Sequence, residues 1–206
     1  MLPRERCRCG LPLPAATAAP PADELPPLCG RCLANPPPFA RVCCEYPWRF
    51  PLDRLISRYK YRSWLAAERP LLALWQQALA ATGMSPRPDA LVPVPLHWRR
   101  QWWRGFNQSE RLARQLARLT GIPHLPALAR RRATPRQQGL KQSTRRRNLR
   151  NAFAVQCDVD GLRLALVDDV ITTGSTAREA SRALLDAGAA RVEVWALART
   201  LPASDQ

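Results

Sequence analysis

The sequence predicts an α/β domain, a parallel sheet flanked by helices, with a small cysteine-rich module at its N-terminal end. Three observations carry that reading. Residues 162–197 run strand, loop, helix, strand, with an apolar stretch at each end and a helical period between. An earlier strand pattern at 90–96 is followed by a helical pattern reaching about Leu119. Residues 1–38 hold prolines and cysteines and lack either period. The 206 residues suffice for one full α/β domain and a small appendage, and 46% hydrophobic content suffices for its core. We therefore expect a module at 1–38 and a domain at 39–206.

Each region has its reason. Pro12, Pro14, Pro20, Pro21, Pro26, Pro27 and Pro36 to Pro38 punctuate the first. A β-like stretch then runs from Phe39 to Tyr46, and a segment from Leu52 to Tyr61 leads into a helical pattern over 63–82. Pro70 is expected to kink or split that helix. Ala90-Leu91-Val92-Pro93-Val94-Pro95-Leu96 reads as a short strand ending in a proline-stiffened turn. Asn107 and Glu110 have capping-box spacing for the next helix, and Gly121 ends it. Leu164, Leu166 and Val167 make the late strand. Ala180, Leu184 and Leu185 give one face of the crossover helix, which Gly188 closes, and Val192, Val194, Trp195 and Leu197 form the last strand.

Charge is gathered in one place. The chain carries 32 basic residues against 16 acidic ones, and only Lys60 and Lys141 are lysines. Residues 99–150 hold 15 basic residues and the single acid Glu110. Arginine suits forked phosphate contacts and stacking on bases. There is no run of 18 apolar residues, and the opening Met1 to Cys7 has no apolar signal region. Cytoplasmic location is the expectation, with cysteines as thiols or metal ligands.

The chemistry concentrates after the late strand. Asp168 and Asp169 are followed by Val170-Ile171-Thr172-Thr173-Gly174-Ser175-Thr176. Hydroxyls, main-chain N–H groups and a helix N-terminus together suit a phosphate. Adjacent carboxylates accept from sugar hydroxyls and can sit near a hard cation such as Mg²⁺. Val167 to Thr176 resembles the signature of the type I phosphoribosyltransferases, which bind 5-phosphoribosyl-1-pyrophosphate (PRPP).

The resemblance implies that fold and more. Asp168 and Asp169 would hold the ribose hydroxyls near Mg²⁺. Val170, Thr172, Thr173, Gly174, Ser175 and Thr176 would anchor the 5′-phosphate. Pro93, Val94 and Pro95 look like the loop that contacts the pyrophosphate, and the other reading of them is a surface turn. Arg99, Arg100 and Arg104 are either pyrophosphate ligands or a basic rim. His97 is a candidate beside that loop, and His124 reads as structural.

Arg104-Gly105-Phe106-Asn107-Gln108, then Arg130 to Leu140, then Arg145 to Asn148, Asn151 and Phe153, are similar to the ComF/GntX family. That family couples a phosphoribosyltransferase-type domain to an N-terminal cysteine module. It is associated with natural competence and the use of external DNA, which implies competence or DNA-processing partners and leaves the acceptor undefined.

Cys7-Arg8-Cys9 and Cys29-Gly30-Arg31-Cys32 are the cysteine pairs. Two pairs at this distance would hold one tetrahedral Zn²⁺. The family pattern has Cys-x-x-Cys at the first pair, and here it is one residue short, so zinc and free thiols both stay open. Cys43 and Cys44 read as packing residues or substitute ligands, and Cys157 as a buried thiol. Residues 130–150 read as a mobile loop over a reacting centre, a track for single-stranded DNA flanked by Trp98, Trp102, Trp103 and Phe106, or a solvated basic loop with tryptophans in the core. Three functions follow: a PRPP-dependent, Mg²⁺-dependent phosphoribosyltransferase, a non-catalytic nucleotide- or PRPP-binding accessory, and a plain single-stranded-DNA binder.

Overall fold

The structure is a computed structural model and describes residues 6–13, 25–62, 65–82, 87–96, 105–131 and 152–202. Its elements run α1 (Gly30–Ala34), β1 (Val42–Cys43), β2 (Tyr46–Pro47), α2 (Leu52–Arg62), a 3₁₀ turn (Leu65–Ala67), α3 (Glu68–Thr82), β3 (Ala90–Pro93), α4 (Gln108–Thr120), β4 (Leu128–Arg130), β5 (Phe153–Val155), β6 (Arg163–Ile171), α5 (Ser175–Asp186) and β7 (Arg191–Arg199). The main sheet has the order β1-β7-β6-β3, with β2 also on β7, and every pairing in it is parallel. β4 and β5 form a separate antiparallel pair.

A parallel sheet buries both faces, so its central strands are apolar throughout. β6 shows how one strand serves two cores. Leu164 and Leu166 pack with Ala180 and Leu184 of α5 and with Phe153. Ala165 and Val167 pack on the opposite face with Ile56, Trp75 and Leu112 from α2, α3 and α4. Period-two alternation dictates that division. Trp75 and Trp195 are each 1% exposed and anchor the second core.

Two sequence expectations need correcting. Pro70 does not split a helix over 63–82. The break falls earlier, where the 3₁₀ turn gives way to α3, and Pro70 lies in the first turn of α3. A first-turn residue has no intrahelical N–H bond to lose, so proline is tolerated there. The late strand also does not stop before the carboxylates. β6 continues to Ile171, pairing with β7 up to Asp168 and again from Val170.

Helix ends follow their local chemistry. The Asn107 side chain accepts from Ser109 N at the start of α4, and left-handed Gly121 ends it with an N–H bond to Ala117 O. Glu110 does not complete a capping box; its carboxylate meets Arg114 at 2.9 Å and His124 at 3.1 Å. His124 is thus structural, and it also bridges to Leu91.

Topology alone marks a crevice. Beyond the C-terminal end of β3 the chain enters α4 on one face, while from β6 it enters α5 on the other. Adjacent strands whose connections leave to opposite faces open a cleft at their carboxyl ends, where α/β proteins place ligands.

Candidate functional site

The acidic pair lies in that cleft, and the fold makes its two members unequal. Asp169 follows Val167 on the α2 side and is 3% exposed. Lys60, from α2, meets its Oδ1 at 2.8 Å. Lys60 Nζ also lies 5.8 Å from the centre of the Trp48 ring, within cation–π range. Asp169 Oδ2 is buried and has no hydrogen-bond partner among the described residues.

Asp168 is half-buried and holds no cation of its own among the contacts of the described residues. Its Oδ1 accepts from Ser109 Oγ at 3.2 Å and from Asp169 N at 2.9 Å. Burial and then the neighbouring Asp169 charge push its pKa up to about 7, against the lowering effect of Lys60. Lys60 thus pairs with Asp169, while burial and the neighbouring carboxylate favour the protonated form of Asp168.

The loop after β6 turns tightly. Gly174 adopts φ 76° at the cap of α5. An added Cβ there would meet only Ile171 Cγ2 at 3.9 Å, so backbone handedness, not space, asks for glycine. Thr173 Oγ1 and Ser175 Oγ lie 2.9 Å apart, and Ser175 N reaches Thr173 Oγ1 at 3.4 Å. Thr172 is exposed, and a cavity of about 20 Å³ is lined by Asp168, Val170, Thr172, Thr173, Gly174, Ser175 and Thr176. The N-terminus of the 12-residue α5 points its first-turn amides at this end of the sheet.

The upstream loop comes to the same cleft. Pro93 pairs with Val167, and Val94 N donates to Val167 O at 2.9 Å. Asn107 Nδ2 donates to Val94 O at 3.1 Å, tying the turn to the start of α4. Pro95 follows, half-buried. Thus Pro93, Val94 and Pro95, the acidic pair and residues 170–176 are brought together, although they are separated by more than 70 residues in the chain. Arg99, Arg100 and Arg104, like His97, Trp98, Trp102 and Trp103, lie outside the described residues, as do 132–151. Phe106 packs edge-on against Tyr59, with centroids 5.6 Å apart, so it is a core-edge ring.

The four cysteines converge. The sulfurs of Cys7, Cys9, Cys29 and Cys32 all lie within 4.8 Å of one another. A tetrahedron of about 2.3 Å metal–sulfur bonds requires sulfurs roughly 3.8 Å apart, close to the 4.0 Å between Cys9 and Cys29. Main-chain N–H groups of Cys29 and Cys9 donate to Cys7 Sγ at 3.1 and 3.4 Å, as thiolate sites require. Hydrogen bonding from Cys7 holds Cys9 below the ordinary thiol range, while Cys7 is raised by the same bond and Cys32 by burial. The short Cys-x-Cys spacing is accommodated because Gly10 turns at φ 79° and packs on the sheet edge, where a Cβ would lie 2.8 Å from Val42 Cγ1. The set can hold a metal ion. Cys43 and Cys44 stay outside it, buried against Glu193 and Tyr46 O. Cys157, expected to be buried, is exposed.

Sequence reasoning missed four residues: Lys60, Ser109, Arg178 and Arg199. Arg199 is 4% exposed and donates to Ile171 O and Cys9 O, each at 3.0 Å, and to Thr172 O. Arg178 reaches the cysteine segment from α5. Only Lys60 left a trace in the sequence, as one of two lysines among arginines.

No protein-family model matches the chain. DNA utilization protein YhgH of Salmonella typhimurium is 44% identical over 199 residues, covering 94% of this chain and 83% of that protein. Competence protein F of Haemophilus influenzae is 39% identical over 178 residues, covering 83% and 78%. Competence protein ComFC of Bacillus subtilis is 31% identical over 160 residues, covering 75% and 62%. Among solved structures, purine phosphoribosyltransferase from Pyrococcus horikoshii aligns with 66% of this chain and 84% of its own, at 16% identity and a TM-score of 0.41. That superposition is too loose to add to the topology described above. Among the described residues no helix is long and apolar enough to cross a membrane. The curated relatives, matched along most of their length, decide the matter: this chain belongs to the family of DNA utilization protein YhgH and competence protein F.

Proposed function

We propose that this protein binds PRPP with Mg²⁺ and uses a phosphoribosyltransferase-type site in the handling of external DNA. One observation carries the reading: an acidic pair at the end of β6, one member buried and one half-buried, runs directly into a hydroxyl-rich loop that caps α5, in the cleft between β3 and β6. Phosphate binding alone would not call for carboxylates beside the loop, whereas a ribose between a phosphate and a pyrophosphate uses both. Residues 172–176 would take the 5′-phosphate. Asp168 and Asp169 would hold the ribose hydroxyls and stand as the catalytic pair. Val170 and the Pro93-Val94-Pro95 turn would line the ligand, with Arg99, Arg100 and Arg104 near the pyrophosphate.

The donor set fits a hard cation, since carboxylate oxygens are present and Asp169 Oδ2 is buried without a partner among the described residues. Bound Mg²⁺ would neutralise charge on the pyrophosphate. The chain's own part is positioning. Ser109 and the Asp169 amide orient the Asp168 carboxylate, Lys60 fixes Asp169, and Asp168 can hold or release a proton near pH 7. The four cysteines fit Zn²⁺, which would fasten residues 1–38 as a module on the 39–206 domain. Competence or DNA-processing partners belong to the same reading, drawn from the relatives' names, and cytoplasmic residence belongs to it on the reading of the cysteines as thiols or metal ligands. The acceptor is undefined.

A second reading is favoured by the 15 basic residues over 99–150: a non-catalytic accessory for nucleotides or single-stranded DNA. Isothermal titration of purified protein with PRPP and Mg²⁺, beside an Asp168→Asn/Asp169→Asn variant, separates the two. Saturable binding lost in the variant supports the first. Folded wild-type protein that ignores PRPP sinks it, and binding of oligonucleotides with a steep salt dependence would then establish the second.

A further inference from the structure

The cysteine cluster lies against the 171–176 loop, and two arginines join them. Arg199 closes β7. Its guanidinium donates to Cys9 O, Ile171 O and Thr200 O at 3.0 Å each, and to Thr172 O. All four acceptors are main-chain carbonyls, and they belong to three chain segments. Arg178, on α5, donates to Asn35 O and Pro36 O at 2.9 Å and reaches Cys32 Sγ at 3.7 Å. A cavity of about 30 Å³ between the two arginines is lined by Cys9, Cys32, Thr173 and Gly174 among others. Each cysteine pair is therefore fastened to a different end of the loop, Cys9 to its start through Arg199 and Cys32 to its far side through Arg178.

We propose that metal in the cysteine cluster acts as a clamp on the 171–176 loop, with Arg199 and Arg178 as positioning residues that transmit metal occupancy to the phosphate cradle. The clamp rests on the reading of this loop as the phosphate site. Its physics is that of a tethered small module. Residues 6–13 and 25–35 contribute little core beyond Cys7, Leu11 and Cys32, so a bound ion is what would hold them in place. Release of the ion frees Cys9, and the Arg199 fork loses one of its carbonyls. A buried guanidinium short of an acceptor then loosens its hold on Ile171 and Thr172. A ligand entering the loop must order it again, so affinity falls. By linkage, ligand in the loop tightens the metal by the same factor.

Amide hydrogen exchange on the full chain, before and after zinc removal by a chelator with metal content measured, tests this without reference to activity. Metal loss is expected to cost about tenfold in protection at 171–176 together with 6–12 and 29–35, leaving β3 and residues 163–167 unchanged. Arg199→Lys keeps the charge but cannot span the carbonyls. It should retain zinc and still show a loosened loop. Unaltered protection at 171–176 when 6–12 and 29–35 open would overturn the clamp. So would exchange rising evenly through the sheet, or a protein that binds no stoichiometric zinc. A parallel titration with PRPP and Mg²⁺ should show affinity falling about tenfold on metal removal. If loaded protein binds no PRPP, the ligand assignment fails, while the exchange result still decides the clamp.

Discussion

Replacing Asp168 by Asn should make the ligand-free protein more stable at alkaline pH. Asn keeps the oxygen that accepts from Ser109 Oγ and Asp169 N, and removes a charge next to Asp169. The wild-type group titrates at about 7 in the folded chain against 3.8 in a free carboxylate. A raised carboxylate contributes stability that is fully present below pH 3.8 and is lost as pH rises through about 7. That shift corresponds to about 4 kcal/mol at most, and roughly 1–3 kcal/mol once partial solvent contact at Asp168 is allowed for. The assay is urea unfolding of both proteins at pH 5 and pH 8.5. Because pH 5 already lies inside the titration window, the variant should gain on wild type between the two pH values by about three-fifths of that amount, roughly 0.6–2 kcal/mol, equivalent to roughly 1–8 °C in Tm for a chain of this size. An advantage that is absent, or larger at pH 5 than at pH 8.5, would refute the assignment of the proton to Asp168. The same variant should lose PRPP binding, trading affinity for stability as functional carboxylates do.

Lys60→Met should do the opposite. It leaves Asp169 buried beside Asp168 without its cation, at a cost of about 2–4 kcal/mol at pH 8, read by the same unfolding experiment. Gly174→Ala places a side chain at φ 76°, costing about 1–2 kcal/mol, and should weaken PRPP binding in a calorimetric titration without unfolding the chain. Trp75→Ala empties a site 1% exposed in the α2/α3/α4 core and should cost about 3–5 kcal/mol in denaturant unfolding while leaving zinc content intact. Cys29→Ser should lower the metal content from one equivalent towards none, measured on the dialysed protein, whereas Cys157→Ser should leave it unchanged because Cys157 stands apart from the cluster.

Local signals were legible where period and capping agreed. The β6–α5–β7 unit and the α4 ends follow from alternation, from Asn107 and from left-handed Gly121. The four-cysteine set could be proposed from spacing, but its convergence despite Cys-x-Cys depends on the Gly10 turn against Val42. Pro70 misled because a proline signals a helix boundary without saying on which side of it the break falls. Cys157 misled because a lone thiol is usually buried, and here it follows β5 on an exposed turn.

What the sequence hides is the inequality of the acidic pair. Asp168 and Asp169 are the same residue type, adjacent, and at first sight interchangeable. They nevertheless meet different neighbours, both supplied by helices of the α2/α3/α4 layer. One faces an ammonium supplied by residue 60, more than a hundred positions earlier; the other meets a hydroxyl and an amide. The partner of Asp169 is a point charge on a flexible stem, one of two lysines in a chain whose other basic residues are arginines, and a planar guanidinium at that place would bring a fork where the Asp169 geometry supplies one contacted oxygen. Lys60→Arg is therefore not a silent exchange. It should disturb Asp168 through Asp169, and a pH titration of stability in that variant would move the midpoint near 7 if the two carboxylates are coupled as the distances require.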